Sequence, residues 1–171
     1  MRSPGACWRK DSRMPEMRVG QGFDVHPFSD DPTRQLVLGG VVLEGPGLVG
    51  HSDSDPVSHA CVDALLGAAG MGDIGERYPD TDPAHAGADS VSLLVDTVAA
   101  LDSEGWRVVN LDCTVVLEAP RLAPHRAAIQ DRLGSVVGAP VSVKAKRAEG
   151  LGALGRREGI AAMAVVLLER G

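Results

Sequence analysis

The chain has 171 residues, 44% of them hydrophobic, which suits one domain with a real core and leaves no room for a second catalytic domain. A formal charge of -6 and an aromatic share of 3% exclude the basic surface and stacking platforms of a nucleic-acid binder, so any phosphate site must be local. Cys7, Cys61 and Cys113 are odd in number and far apart, which excludes a disulfide framework; with no membrane-length apolar run and no signal-peptide core, a soluble, cytoplasmic protein is expected.

Residues 1–16 carry Arg2, Arg9, Lys10 and Arg13 without apolar periodicity and read as a disordered leader, with the domain spanning 17–170. Arg18 to Val25 predicts the first strand, and Leu36 to Leu43, containing Gly39-Gly40, the second. Turn chemistry from Ser29 to Arg34 suggests that these two form a hairpin. The glycine- and proline-containing loop Glu44 to Gly50 leads into His51-Ser52-Asp53-Ser54-Asp55. Asp55-Pro56 has the pattern of an N-cap and first helical position, and Val57, Cys61, Ala64, Leu65 and Ala68 continue at helical spacing to Gly70.

Asp73-Ile74-Gly75 then makes a tight connection, and Tyr78 to Pro83 an acidic, rigid loop. Asp89-Ser90 caps a second helix whose predicted buried stripe is Val91, Leu94, Val95, Val98 and Leu101, ending at Glu104-Gly105. Trp106 to Leu117 alternates as a half-covered strand, followed by the loop Glu118 to Pro124, a third helix to Val137 and a strand from Val141 to Lys144. Lys146 to Arg156 is irregular, rich in glycine and alternating charge, with Lys146, Arg147 and Glu149 suited to phosphate and metal. Ile160 to Leu168 closes the chain as a buried strand.

One constellation organises the rest. Alternation along a strand sends Asp24 and His26 to the same face, and His59 lies near the start of the first helix, off its buried stripe. Each alone reads as an ordinary polar residue at a strand end or helix start. Together, one carboxylate and two imidazoles on rigid elements are the ligand set of a catalytic divalent-metal site that keeps a fourth position open, with zinc the first expectation.

Longer motifs carry a resemblance. Gly22-Phe23-Asp24-Val25-His26, His51 to Asp55 with His59, Asp63 to Ala69, Gly72-Asp73-Ile74-Gly75, Pro79-Asp80-Thr81-Asp82, and Gly155-Arg156 followed by Glu158 to Ala161 make residues 17 to 169 similar to the 2-C-methyl-D-erythritol 2,4-cyclodiphosphate synthase family. The resemblance implies an α/β fold, a single-domain mixed sheet with helices packed on one face. It also implies a homotrimer whose sheets line a central channel and whose active sites lie at subunit interfaces. The implied reaction is intramolecular phosphoryl transfer in a cytidine diphosphate substrate, releasing CMP in non-mevalonate isoprenoid biosynthesis.

By the same resemblance Asp24, His26 and His59 bind Zn2+ or another divalent metal, and Glu149 binds a second ion, Mg2+ or Mn2+. His51 stabilises the transferring phosphate, with Ser52 adding a hydrogen bond. Asp73, Ile74, Gly75, Asp80, Thr81 and Asp82 hold the methylerythritol part, and the backbone of Leu117, Glu118, Ala119, Pro120, Arg121, Leu122 and Ala123 cradles cytosine. Asp63, one turn beyond His59, is expected to accept its outer ring N–H.

Departures from the family are also legible. Lys146-Arg147-Ala148 stands where many members have consecutive threonines, so Arg147 is expected to replace a hydroxyl as a cationic clamp, with Lys146 and Ala148 lining the substrate. Ala153 replaces a large apolar residue at the channel, whereas Arg156 and Glu158 keep the charged ring nearby. Two other readings stay open: a non-catalytic trimer that binds an isoprenoid diphosphate or CMP, and a metal-dependent phosphohydrolase. His85 and His125 enter none of them.

Overall fold

A computed structural model describes residues 14–79, 81 and 87–171 of the chain. Cys7, His85, Asp80, Asp82 and the basic residues of the expected leader lie outside the described residues. Six strands and five helices are described: β1 (Glu16–Pro27), β2 (Leu36–Leu38), β3 (Val41–Leu43), α1 (Pro56–Ala69), α2 (Ile74–Arg77), α3 (Ser90–Ser103), β4 (Arg107–Val116), α4 (Arg126–Val137), β5 (Val141–Lys146), α5 (Gly152–Gly155) and β6 (Gly159–Arg170). The main sheet has the order β1-β6-β4-β5 and is mixed: β6 pairs antiparallel with both β1 and β4, and β4 pairs parallel with β5.

Side-chain alternation sorts this sheet into two faces. Ile160, Ala162, Ala164, Val166 and Leu168 of β6 lie level with Leu111, Cys113 and Val115 of β4 and are almost fully buried. That face meets the helices: α1 packs on β1 and β6, α4 on β5, and α3 on α1 and α4. The opposite face leaves Val19, Phe23, Val25 and Val165 44–69% exposed.

On β1 the covered face reads Gly20, Gly22, Asp24, His26. A Cβ on Gly22 would come within 2.0 Å of the Ala60 carbonyl oxygen, and one on Gly20 within 2.0 Å of that of Ala64. The two glycines therefore let strand and helix touch backbone to backbone, with Ala60, Ala64 and Ala68 as the matching small residues one turn apart on α1. The next two residues on that face of the strand are Asp24 and His26.

Asp55 fixes where α1 begins. Its buried carboxylate accepts from the amides of Val57 and Ser58, from Ser58 Oγ, and from the amides of Gly39 and Gly40. Gly70, left-handed at φ 73°, closes the helix. One carboxylate thus caps α1 and ties it to the β2–β3 turn, although burial pushes its own pKa up.

Several expectations are corrected. Leu36 to Leu43 is not one strand, because Gly39 and Gly40 both take positive φ (59° and 71°) and reverse the chain into a separate two-stranded sheet. Nor does β1 pair with this segment: its whole length, Glu16↔Arg170 to Pro27↔Gly159, is taken by β6. On α3, Val95 is 48% exposed, and the inner stripe runs through Leu93 and Thr97 instead.

Candidate metal centre

The face alternation of β1 and the first turn of α1 bring three side chains to one point. Asp24 Oδ2 is 2.9 Å from His26 Nε2 and 3.0 Å from His59 Nδ1, and the two nitrogens are 3.4 Å apart. A tetrahedral zinc with bonds of about 2.05 Å would hold its ligand atoms about 3.3 Å apart, so the triangle has the dimensions that the donor set requires. Among the described residues this is the one group of three or more histidine, cysteine or carboxylate side chains able to converge on an ion.

The electrostatics reinforce the convergence. Burial alone would push Asp24 upward, yet hydrogen bonds to His26 and His59 outweigh it and hold the carboxylate well below its usual range. Burial would likewise lower His26, but Asp24 and the Val49 carbonyl raise it. The His26 Nδ1–H donates to Val49 O at 2.7 Å, which turns Nε2 toward the cluster. Without an ion, the carboxylate and a protonated His26 satisfy each other; with one, the same three lone pairs are available to it.

The outer nitrogen of His59 does not meet Asp63. The Asp63 carboxylate instead accepts the Ile74 amide at 2.8 Å, while His59 Nε2 lies 2.8 Å from Ser90 Oγ and 3.2 Å from Ser52 Oγ. Helical spacing put Asp63 on the neighbouring turn, but the His59 ring swings toward β1 and away from it. Ser90, and Asp53 behind it, were missed: Ser90 carried only a helix-start signal, and nothing local links residue 53 to residue 90.

The cluster opens into a cavity of about 410 Å3 that His51, Ser52, Ile74, Gly75 and Tyr78 also line. Asp73 caps the single-turn helix α2 by accepting the Glu76 amide at 2.8 Å, presenting Ile74 and Gly75 to that cavity. Arg34 staples the loop that delivers His51 and Ser52, donating to Leu48 O, Ser52 O and Ser54 Oγ at 2.6–2.8 Å. Thr81 is exposed.

The expected nucleotide residues gather elsewhere. Leu117, Glu118, Pro120, Arg121, Leu122 and Ala123, with Ala145, Lys146 and Arg147, line a second cavity of about 200 Å3 that shares no residue with the first. Ala119 belongs to the same loop. Arg147 is 64% exposed and is committed through Nε (2.9 Å) and Nη2 (2.7 Å) to one oxygen of Glu118, whose side chain is only 4% exposed. This pair holds Glu118 below, and Arg147 above, its ordinary pKa. Glu149 is exposed and left-handed (φ 53°), Ala148 accepts the Leu151 amide, and Arg156 pairs with Glu158 at 2.6 Å. Within one chain, then, Glu149 and Arg147 are not brought to the metal cluster.

Comparison with known proteins gives the same picture over the whole domain. The YgbB family profile matches residues 17–169. A 2-C-methyl-D-erythritol 2,4-cyclodiphosphate synthase of Bordetella avium is 52% identical over 157 residues, covering 90% of this chain and 96% of that protein. Among solved structures, the bifunctional IspDF of Campylobacter jejuni superposes with a TM-score of 0.87 at 38% identity, over 92% of this chain and 43% of that one. The IspF–CDP complex of Plasmodium falciparum gives 0.79 at 30% identity, over 90% of this chain and 96% of that one. The convergent Asp-His-His centre on a mixed sheet, and a match that runs nearly end to end, agree: this chain belongs to the YgbB family, that of the 2-C-methyl-D-erythritol 2,4-cyclodiphosphate synthases.

Proposed function

We propose that the protein converts 4-diphosphocytidyl-2-C-methyl-D-erythritol 2-phosphate to 2-C-methyl-D-erythritol 2,4-cyclodiphosphate and CMP. An oxygen of the 2-phosphate forms a bond to the β-phosphorus, the bond from that phosphorus to the bridging oxygen breaks, and CMP leaves with the electron pair. Phosphoryl transfer asks the protein chiefly for position and charge neutralisation, so no nucleophilic side chain is required. The observation that carries this reading is the Asp24–His26–His59 triangle at the floor of a cavity large enough for a diphosphate and its polyol.

Zinc, held by those three side chains, would supply Lewis-acid polarisation of the β-phosphate. His51 and Ser52, on the loop that Arg34 staples, stabilise charge that develops on the transferring group. Asp73, Ile74 and Gly75, with Asp80, Thr81 and Asp82, hold the methylerythritol part. Leu117 to Ala123, with Lys146 and Ala148, take the cytidine. Arg147 neutralises phosphate from its place on Glu118, Arg156, paired with Glu158, takes part in substrate binding beside the channel, and Glu149 supplies the carboxylate for Mg2+ or Mn2+.

These two groups line separate cavities in one chain, which favours a trimer whose sites join the metal cluster of one subunit to the nucleotide loops of the next. The exposed apolar face of β1 and β6 is the surface such a trimer would cover. The catalytic unit is the domain of residues 17–170, working in the cytoplasm. No helix among the described residues is long and apolar enough to cross a membrane.

The test is incubation of the purified protein with the cytidyl substrate, with and without chelator, followed by mass spectrometry. The cyclic diphosphate and CMP in equal amounts are expected. Inorganic phosphate in place of the cyclic product would mean a phosphohydrolase, and binding without CMP release a non-catalytic member of the fold.

A further inference from the structure

A ligating imidazole must keep its lone pair on the nitrogen that faces the metal, so its proton must sit on the other one. For His26 the Val49 carbonyl enforces this, since a carbonyl oxygen can only accept. Among the described residues, no carbonyl meets the outer nitrogen of His59. It has two hydroxyls, Ser90 Oγ at 2.8 Å and Ser52 Oγ at 3.2 Å, and a hydroxyl can either donate or accept.

Asp53 removes the ambiguity. Ser90 Oγ lies in a very short contact with Asp53 Oδ1, and a carboxylate accepts, so the single Ser90 hydroxyl proton points at Asp53. The other contacts of that carboxylate are also donors, the Ser90 amide at 3.2 Å and the Asp55 amide at 3.3 Å, which fix its orientation. Toward His59, Ser90 can therefore present only a lone pair, and Nε2 must be the donor. Nδ1, 3.0 Å from the accepting Asp24 carboxylate, is then the nitrogen left for an ion, which would replace the proton shared there with Asp24.

We propose that Asp53 and Ser90 are positioning residues, a carboxylate–hydroxyl relay that directs the His59 proton onto Nε2 and so makes Nδ1 a metal ligand. Ser90 is fully buried at the first position of α3, and Asp53 ties itself to the same helix start through the Ala88 carbonyl, so the relay is built into the junction of α3 with the loop carrying His51 and Ser52. The inference rests on the metal reading of Asp24, His26 and His59.

The relay makes an unusual prediction about pairs of substitutions. Ser90→Ala leaves His59 without its acceptor but with no misdirected proton, and zinc affinity should fall about tenfold. Asp53→Ala does not touch His59 at all, yet it frees the Ser90 hydroxyl to donate to Nε2 and to drive the imidazole proton onto Nδ1. Its zinc affinity should fall further, by about thirtyfold on the same scale. The double variant should then bind zinc more tightly than Asp53→Ala alone, returning to the Ser90→Ala level.

The measurements are chelator-competition zinc affinities of the full chain and its variants, with 15N NMR of the zinc-loaded wild-type ring nitrogens assigned against His59→Gln. Zinc on His59 Nδ1 with a slowly exchanging Nε2 proton, together with the recovery in the double variant, is the expected result. Zinc on Nε2, an unchanged affinity in Ser90→Ala, or additive losses in the double variant would each overturn the relay. The wild-type spectrum decides the question even if a variant does not fold. A wild-type protein that binds no zinc at these three side chains would remove the proposed function itself, a result distinct from any of those.

Discussion

Asp24, His26 and His59 project from a strand paired along its full length and from a helix capped by a buried carboxylate; Arg147, Glu149 and Arg121 project from loops and are exposed. The first group forms one triangle of ligand atoms inside a single chain. Of the second group, Arg147 spends its charge on Glu118, as the neighbouring Arg156 does on Glu158, and none of the three belongs to the metal cluster found among the described residues. The three ligands of one ion must be held to within tenths of an ångström, which rigid elements supply; Arg147 and Arg121, meant for a nucleotide, need only backbone and reach, and Glu149 would be one ligand of an ion otherwise held by substrate phosphates and water. The difference also assigns the parts that one chain completes and those that, on the reading proposed above, a neighbour completes.

Removing the rigid half should have the largest effect. Asp24→Ala is expected to lose bound zinc by metal analysis and to lower CMP release on the order of a thousandfold. Mixing Asp24→Ala subunits with Glu149→Ala subunits under exchange conditions should restore part of the activity, because a site shared between neighbours is then intact at some interfaces. No recovery would place both halves in one subunit and erase the contrast.

The rigidity itself can be broken without touching a ligand. Gly22→Ala drives a Cβ into the Ala60 carbonyl and should cost about 3 kcal/mol or more, read as a lower denaturation midpoint, with zinc affinity falling because α1 must back away from Asp24. On the loop side, Arg147→Ala and Glu118→Gln are each expected to lower kcat about tenfold, and the double variant no further, because both guanidinium bonds end on one Glu118 oxygen. Additive losses would mean that Arg147 acts on phosphate independently of Glu118.

Acid and base should separate the metal-free and loaded forms. In the metal-free protein Asp24 is held below its ordinary 3.8 and His26 above its ordinary 6.5, so their pair contributes most between those values. That contribution fades as pH falls through the depressed Asp24 value, and again as pH rises through the raised His26 value. Zinc requires neutral imidazoles, so its stabilisation grows over the same upper range. Melting curves taken from pH 6.5 upward should therefore move apart, with the loaded form gaining and the metal-free form losing. The smallest effect belongs to the exposed Lys144–Asp112 pair on β5 and β4, where Lys144→Ala should change stability by about 0.5 kcal/mol or less.

Much of the metal centre was legible because its signals are local. Strand alternation put Asp24 and His26 on one side, and Asp55-Pro56 with Gly70 set the bounds of α1 and hence the place of His59. Where a local rule had two outcomes, the reading failed. A turn-rich segment after β1 suggested a hairpin with the next strand, but β6 offered twelve-residue pairing along all of β1. Spacing of four made Asp63 a neighbour of His59, while the side chains turned to different partners, Ile74 and Ser90.

By itself the sequence determined the periodicities, the caps and the kinds of side chain offered as ligands, since each depends on residues within a turn or a strand of one another. Only the tertiary structure decided that β6 sits between β1 and β4, that Asp53 reaches Ser90 across thirty-seven residues, that Gly20 and Gly22 meet Ala64 and Ala60, and that the loops expected to hold the nucleotide lie apart from the metal cluster. Those are choices among distant partners. They are made by competition for hydrogen bonds and buried area over the whole fold, which no short window of residues records.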